Sequence, residues 1–82
     1  MSNKAPKIVI VSFEGETLIE STQIDITAPS DIERGLLRFV ENGATSVVII
    51  RNGRGRWDVS FDSNISINKI SRISGNIFKS ID

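Results

Sequence analysis

Cysteine and histidine are both missing from this chain of 82 residues. Without cysteine there are no disulfides, thiolate metal ligands or cysteine nucleophile, and a small domain that lacks disulfides is typical of the reducing cytoplasm. Without histidine, the chain lacks the side chain best suited to proton transfer near neutral pH. These two absences predict a cytoplasmic protein that is not an enzyme.

Long hydrophobic segments are missing as well. The longest purely apolar runs have four residues, as in Ile8-Val9-Ile10-Val11, which is far too short to cross a bilayer. The first residues include Lys4 and Lys7 but no apolar stretch of the length that a signal peptide needs. We therefore expect neither a membrane segment nor a membrane partner.

Neither sign of charge is in excess, because ten basic residues balance ten acidic ones. The distribution is uneven: residues 1–41 carry a net charge of −3, and residues 42–82 carry a net charge of +3. Two such halves can pair with each other or offer a basic face to an anionic partner. They can also mix on one folded surface and cancel.

Extended, β-branched stretches in the first third of the chain predict a hairpin. The length allows one domain, at residues 1–82, with residues 1–6 as a flexible lead-in. Lys7 to Phe13 is typical of a strand buried on both faces. Glu14-Gly15-Glu16 supplies a turn, and the extended pattern resumes over residues 17–27. A bulge or break is expected at Ser21-Thr22.

A helix is predicted after Pro29, which discourages further strand pairing. Ser30 and Glu33 have the spacing of a capping box, in which the Ser30 hydroxyl accepts from the backbone N–H of Glu33. Gly43 supplies a left-handed stop, and Gly35 in the apolar arc predicts a close approach of helix and sheet. The apolar face of this helix consists of Ile32, Leu36, Phe39 and Val40.

The dipeptide Asn52-Gly53 predicts a second hairpin, because both central residues of a type I′ turn need positive φ. A two-residue turn would place Arg51 opposite Arg54 and Ile49 opposite Arg56. In that register, one face holds the core residues Val48, Ile50, Trp57, Val59 and Phe61. The other face would gather Arg51, Arg54 and Arg56 together with Val47 and Ile49.

The final segment predicts a helix from about Lys69 to Ser80, with Ile67, Ile70, Ile77 and Ile81 on one side. Alternation of Ile65 and Ile67 leaves open that its first residues extend the sheet. The complete pattern predicts an α+β domain. Its core element is a small four-stranded, mostly antiparallel sheet in ββαββα order, with one or two helices on one face.

Part of this pattern resembles the ubiquitin-like β-grasp domains, which makes a β-grasp-like fold the alternative. The order strand–turn–strand–helix–strand is shared, and Asp25-Ile26-Thr27-Ala28-Pro29-Ser30-Asp31-Ile32-Glu33 is similar to their entry from strand into helix. The chain departs from the family in the Asn52-Gly53 hairpin after the third strand and in lacking a carboxy-terminal glycine pair. The resemblance therefore implies neither conjugation nor sulfur-carrier function.

The hairpin tip Arg51-Asn52-Gly53-Arg54-Gly55-Arg56-Trp57 is the strongest candidate for a binding site. Three guanidinium groups within six residues suit the carboxylates of a protein partner or the phosphates of RNA or single-stranded DNA. Trp57 is expected to point into the core, which weakens the case for base stacking. An ordinary solvated turn is the third interpretation.

Other constellations predict no chemistry. The strand carboxylates Asp58 and Asp62 lack a recognised metal-loop spacing, and a Ser66–Lys69 pair lacks an oxyanion-hole motif. Gly53-x-Gly55 lies in a hairpin and so does not form a nucleotide-binding loop between strand and helix. We expect no cofactor, no metal and no small-molecule substrate.

The sequence therefore predicts a non-enzymatic protein-interaction module, such as an adaptor, an inhibitor or a small subunit, with a homodimer as one form. Its partner is another protein or a second copy of itself. The predicted partner-binding residues are Arg51, Arg54, Arg56, Ile49 and Val47, the last two being apolar residues that a partner would bury. The alternative function is binding of RNA or single-stranded DNA through residues 51–57.

Overall fold

The computed structural model describes residues 7–51, 55–62 and 65–81. The elements in chain order are β1 (Lys7–Glu14), β2 (Thr17–Asp25), α1 (Pro29–Glu41), β3 (Ser46–Arg51), β4 (Gly55–Ser60) and α2 (Ile67–Ile81). The strands form one sheet in the order β2-β1-β3-β4, and every pairing is antiparallel. The predicted α+β fold with a four-stranded sheet in ββαββα order is confirmed.

The first hairpin turns at Gly15, whose φ of 61° lies in the left-handed region that glycine adopts without strain. Strands β1 and β2 stay in register until Ser12 pairs with Glu20, after which Phe13 pairs with Leu18. Ile19 is the surplus residue of this irregularity. The expected bulge at Ser21-Thr22 is therefore wrong, because both residues pair regularly with β1.

Helix α1 begins at Pro29, because proline's fixed φ suits the first helical position and its missing N–H costs nothing there. The carboxylate of Asp31 accepts hydrogen bonds from the Thr27 N–H at 2.7 Å, the Thr27 hydroxyl at 2.9 Å and the Ala28 N–H at 3.0 Å. Asp31, the third residue of the helix, thus stabilises the helix N-terminus. The predicted capping box of Ser30 with Glu33 is wrong, because Ala28 is the N-cap residue and Ser30 is already the second residue of the helix.

Helix α1 packs closely on the sheet at Gly35, as its position in the apolar arc predicts. A Cβ atom on Gly35 would lie 3.1 Å from Ile24 Cδ1 and 3.3 Å from Ile10 Cδ1. Ile32, Leu36 and Phe39 are the buried residues of this helix. The helix ends at Glu41, and Gly43 follows the C-cap residue Asn42 with a left-handed φ of 91°.

The predicted second helix is confirmed as α2, and the hydroxyl of Ser66 accepts a hydrogen bond from the Lys69 N–H at 3.1 Å at its start. Ile67 is 66% exposed, so its predicted place on the buried face is wrong. Ser74 is buried instead, where its hydroxyl donates to the Ile70 carbonyl at 2.8 Å. In the described ranges, neither helix has the length and apolar character needed to cross a membrane.

The core lies between the two helices and a single face of the sheet. Strands β1, β3 and β4 contribute to the core the residues that point to this face, which alternate along each strand. The prediction that β1 is buried on both faces is therefore wrong: the residues between its buried positions are only half covered. The buried strand residues are Ile8, Ile10, Ser12, Val47, Ile49 and Val59.

Replacing Asp31 with asparagine should destabilise the protein at neutral pH, because the three hydrogen bonds favour the ionised carboxylate. These bonds to Thr27 and Ala28 lower the pKa of Asp31 below its ordinary value of 3.8, and Arg34 adds a smaller effect in the same direction. The stabilisation is present above that ordinary value and is lost as the pH falls through the lowered pKa. Thermal unfolding between pH 7 and pH 2 measures this.

Glu41→Gln at the other end of α1 is the matched control, since this exposed carboxylate makes no cap. We expect the melting temperature of Asp31→Asn to lie below that of wild type at pH 7. The two should converge at the acidic end of the range. A constant gap at all pH values would contradict a role for the ionised carboxylate.

Candidate interaction surface

The register of the second hairpin determines which residues face outward. Arg51 pairs with Gly55, Ile49 with Trp57, and Ile50 with Arg56. Three residues, 52–54, therefore connect the strands where the sequence predicted a two-residue turn, and these three lie outside the described residues. A register shift of one residue moves every side chain to the opposite face of the sheet.

Val47 and Ile49 consequently belong to the core, where both are 0% exposed. Their prediction as apolar residues awaiting a partner is wrong, because the chain itself buries them. Val48 and Ile50, predicted as core, lie on the other face, and Ile50 is 39% exposed. Trp57 does pack against the core, as predicted, but its cross-strand neighbour is Ile49 and not Val48.

The predicted arginine cluster is divided between the two faces of the sheet. Arg51 shares the helix-facing side with Ile49, whereas Arg56 lies opposite Ile50 on the other side. Arg54 lies outside the described residues. The Arg56 guanidinium is 3.2 Å from the Asp58 carboxylate, and both side chains are about two-thirds exposed, at 65% and 66%. Within the described ranges, Nη1 of Arg51 is buried and has no hydrogen-bond partner.

The side of the sheet away from the helices carries a strip of apolar residues, which we call the open face. Alternation along the strands and the cross-strand registers bring its members together. Leu18 is 58% exposed, Ile50 is 39% exposed, and the other members are half-buried. The open face consists of Val9, Val11, Phe13, Leu18, Val48 and Ile50.

Polar and charged side chains border the open face on both outer strands. Ser21 and Gln23 lie on the β2 side, while Arg56 and Asp58 lie on the β4 side. A shallow hollow of about 420 Å³ lies at one end, lined by Lys7, Val9, Gln23 and Ile50. An apolar strip with a polar border is the usual anatomy of a protein-binding surface.

Sequence reasoning expected an uncovered apolar face but placed the wrong residues on it, because it assigned Val48 and Ile50 to the core and predicted that β1 is buried on both sides. The expectation of an uncovered face follows from the composition. The apolar runs 8–11 and 47–50 fill both faces of two strands, and the sequence predicts two helical segments to cover them. One face of so small a sheet must then remain uncovered.

A second concave region lies on the helix side, where the outer strand β4 meets α2. This groove has a volume of about 540 Å³, and its lining includes Trp57, Val59, Ile73 and Ile77. No cluster of three or more acidic residues suited to a metal ion occurs in the described ranges. The Ser66 hydroxyl caps α2 by accepting the hydrogen bond from the Lys69 N–H.

Comparisons with known proteins add no family assignment. No protein-family model matches the chain, and neither the curated proteins nor the solved structures include a match to it.

Two neighbouring valines test the register directly. Val47→Thr should lower the free energy of unfolding by about 1–3 kcal/mol, because it buries a hydroxyl among apolar side chains. Val48→Thr should change it by less than about 0.5 kcal/mol, because Val48 lies on the half-exposed open face. Urea unfolding of both variants beside wild type gives the comparison.

The two substitutions are chemically identical and one residue apart, so each controls for the other. Equal losses, or a larger loss at Val48, would contradict the assignment of Val47 to the core and of Val48 to the open face.

Proposed function

We propose that this chain is a non-enzymatic protein-interaction module that binds a partner protein across its open face. The observation that carries the proposal is the uncovered apolar strip between two polar strand edges. Five of its six members project from the middle strands β1 and β3, and Leu18 projects from the outer strand β2. A partner that covers them removes apolar surface from water, worth about 25 cal/mol per Å².

The shape of the open face favours a macromolecule over a small ligand. Small-molecule sites are concave and enclose most of the ligand, whereas this strip follows the surface of a sheet. Exposed Leu18 and Ile50 lie at opposite parts of the strip, and half-buried residues connect them. A complementary protein surface can contact both at once.

The charged border is suited to orienting such a partner. Arg56 and Asp58 carry opposite charges along the β4 side, and Lys7 and Asp25 carry opposite charges, 4.0 Å apart, at the end of the first hairpin. Charges at the rim of an interface contribute more to specificity and association rate than to affinity. In this proposal Arg56 remains a partner-binding residue, and the apolar contacts come from Leu18, Val48 and Ile50.

Nucleic-acid binding receives less support than it did from the sequence. Arg51 and Arg56 lie on opposite sides of the sheet, so they do not form one surface for a phosphate backbone. Trp57 is half-buried against the core, so less of its indole is available as a platform for base stacking. The open face itself is mainly apolar.

The substitution Ile50→Lys should weaken partner binding by about tenfold or more, because it places a charge within the apolar contact. Ile67→Lys is the matched control: it makes the same change at an isoleucine that is 66% exposed at the start of α2. Partners are identified by crosslinking in cells and purified. Their dissociation constants are then measured with wild type and both variants.

Circular dichroism first establishes that both variants are folded. An equal affinity of wild type and Ile50→Lys, or an equal loss in Ile67→Lys, would contradict binding through the open face. A wild-type chain that is strictly monomeric and crosslinks to no protein would contradict the interaction module altogether.

Titration with single-stranded RNA and DNA at two salt concentrations tests the competing function. We expect no measurable affinity, because Arg51 and Arg56 lie on opposite sides of the sheet. A site that binds phosphates would instead show an affinity that falls steeply as the salt concentration rises. Binding that weakens with salt and is abolished by Arg51→Ala together with Arg56→Ala would favour the nucleic-acid function instead.

A further inference from the structure

The outer edge of β4 presents backbone groups that can pair with another strand. Within the described ranges, β4 pairs with β3 only. The Phe61 N–H donates to the Thr45 carbonyl at 2.8 Å, which fixes the alternation of hydrogen bonds along this ladder. Gly55, Trp57 and Val59 direct their backbone groups to β3, so those of Arg56, Asp58 and Ser60 point to the free edge.

We propose that a second copy of this chain pairs with this edge, β4 against β4, about a twofold axis at Trp57. Arg56 of each copy then lies directly opposite Asp58 of the other, at the positions whose backbone groups are free. Each of these two pairs exchanges backbone hydrogen bonds and matches opposite charges across the strands. The result is one continuous antiparallel sheet of eight strands, four from each copy.

The charge pattern selects this register among its neighbours. Moving the axis to Asp58 would set the Asp58 carboxylates of the two copies against each other, and like charges directly opposite are destabilising. Moving it to Val59 would leave Arg56 of each copy beyond the end of the partner's β4, whose last residue is Ser60. Only the axis at Trp57 matches Arg56 with Asp58 twice.

The helix side of β4 has room for the second copy. Trp57 would lie on the axis at a non-hydrogen-bonded position, where opposing side chains approach most closely. Trp57 is half-buried, and with Ile73 and Ile77 it lines the groove of about 540 Å³ between β4 and α2. The indole of the second copy can fill this groove and pack against the first.

The two outer strands of the sheet differ in a way that favours β4. Bulges and irregular registers protect sheet edges against pairing, and β2 carries such an irregularity at Ile19. Strand β4 pairs regularly with β3 over all six of its residues, from Gly55 to Ser60. Its edge is therefore straight enough to accept a second strand.

This inference goes beyond the proposed function, which requires only one chain and its open face. The two proposals fail separately because different quantities test them: self-association after charge reversal at Arg56 or Asp58 tests the edge, whereas the affinity of Ile50→Lys for a partner protein tests the face. In the paired form, the open faces of both copies lie side by side on one sheet.

Charge reversal tests the pairing. Arg56→Asp and Asp58→Arg should each weaken self-association by about tenfold or more, because each sets like charges against each other twice. An equimolar mixture of the two variants should restore the dimer as a heterodimer, since every Arg–Asp match is then re-formed. Sedimentation equilibrium over a range of concentrations measures the affinities, and native mass spectrometry identifies the heterodimer.

Two further variants complete the design. The double variant Arg56→Asp with Asp58→Arg restores both matches within one chain and should dimerise like wild type, even if a single variant folds poorly. Glu41→Lys reverses an exposed charge on α1 and should leave the dimer unchanged. A monomeric wild type, a dimer insensitive to charge reversal, or a variant mixture that stays monomeric would each overturn the proposal.

Discussion

Coverage of the sheet from one side is the constraint on which the other features of this molecule depend. Helix α1 lies so close to the first hairpin at Gly35 that a side chain at this position would crowd Ile10 and Ile24. Glycine fits there because it has no side chain. Helix α2 contributes Ile70, Ile77 and Ile81 to the same core cluster. Because both helices pack on one side of the sheet, the alternate residues of β1 and β3 lie on the other side without a covering layer. Most of these residues are apolar, namely Val9, Val11, Phe13, Val48 and Ile50. The apolar open face follows from this division.

The register of β3 against its neighbours then decides which side chains fall on each side. Val47 and Ile49 complete the core, while Val48 and Ile50 extend the open face. The same register directs Arg56 and Asp58 to the border of that face and leaves their backbone groups at the sheet edge. The proposed binding face and the proposed pairing edge therefore adjoin at these two residues. A partner that approaches the face from the β4 side would meet the same charges that match two copies of the chain.

Local patterns predicted the elements but not their relative register. Turn residues at Gly15 and helical spacing in residues 32–40 depend on neighbours in sequence, and both predictions are confirmed. The run Val47-Val48-Ile49-Ile50 is apolar at every position, so alternation gives no indication of which pair is buried. Asn52-Gly53 then suggested a turn one residue too short, and that difference exchanged the two faces. The predicted helix start was also wrong by local ambiguity. Ser30 and Asp31 both have side chains that can cap a helix, and Asp31 does so because the helix already begins at Pro29.

Pairing of β1 with β3 has a consequence for the order in which the chain folds. Val9 pairs with Ile50, so the central ladder joins segments about forty residues apart, whereas each hairpin joins close neighbours in sequence. Hairpins and helices form from local contacts, and the central ladder requires closure of the intervening loop through α1. During synthesis, β1 therefore has only one neighbouring strand until residue 50 has left the ribosome. Its second edge, bordered by some of the most hydrophobic residues of the chain, is exposed to other nascent chains for that interval.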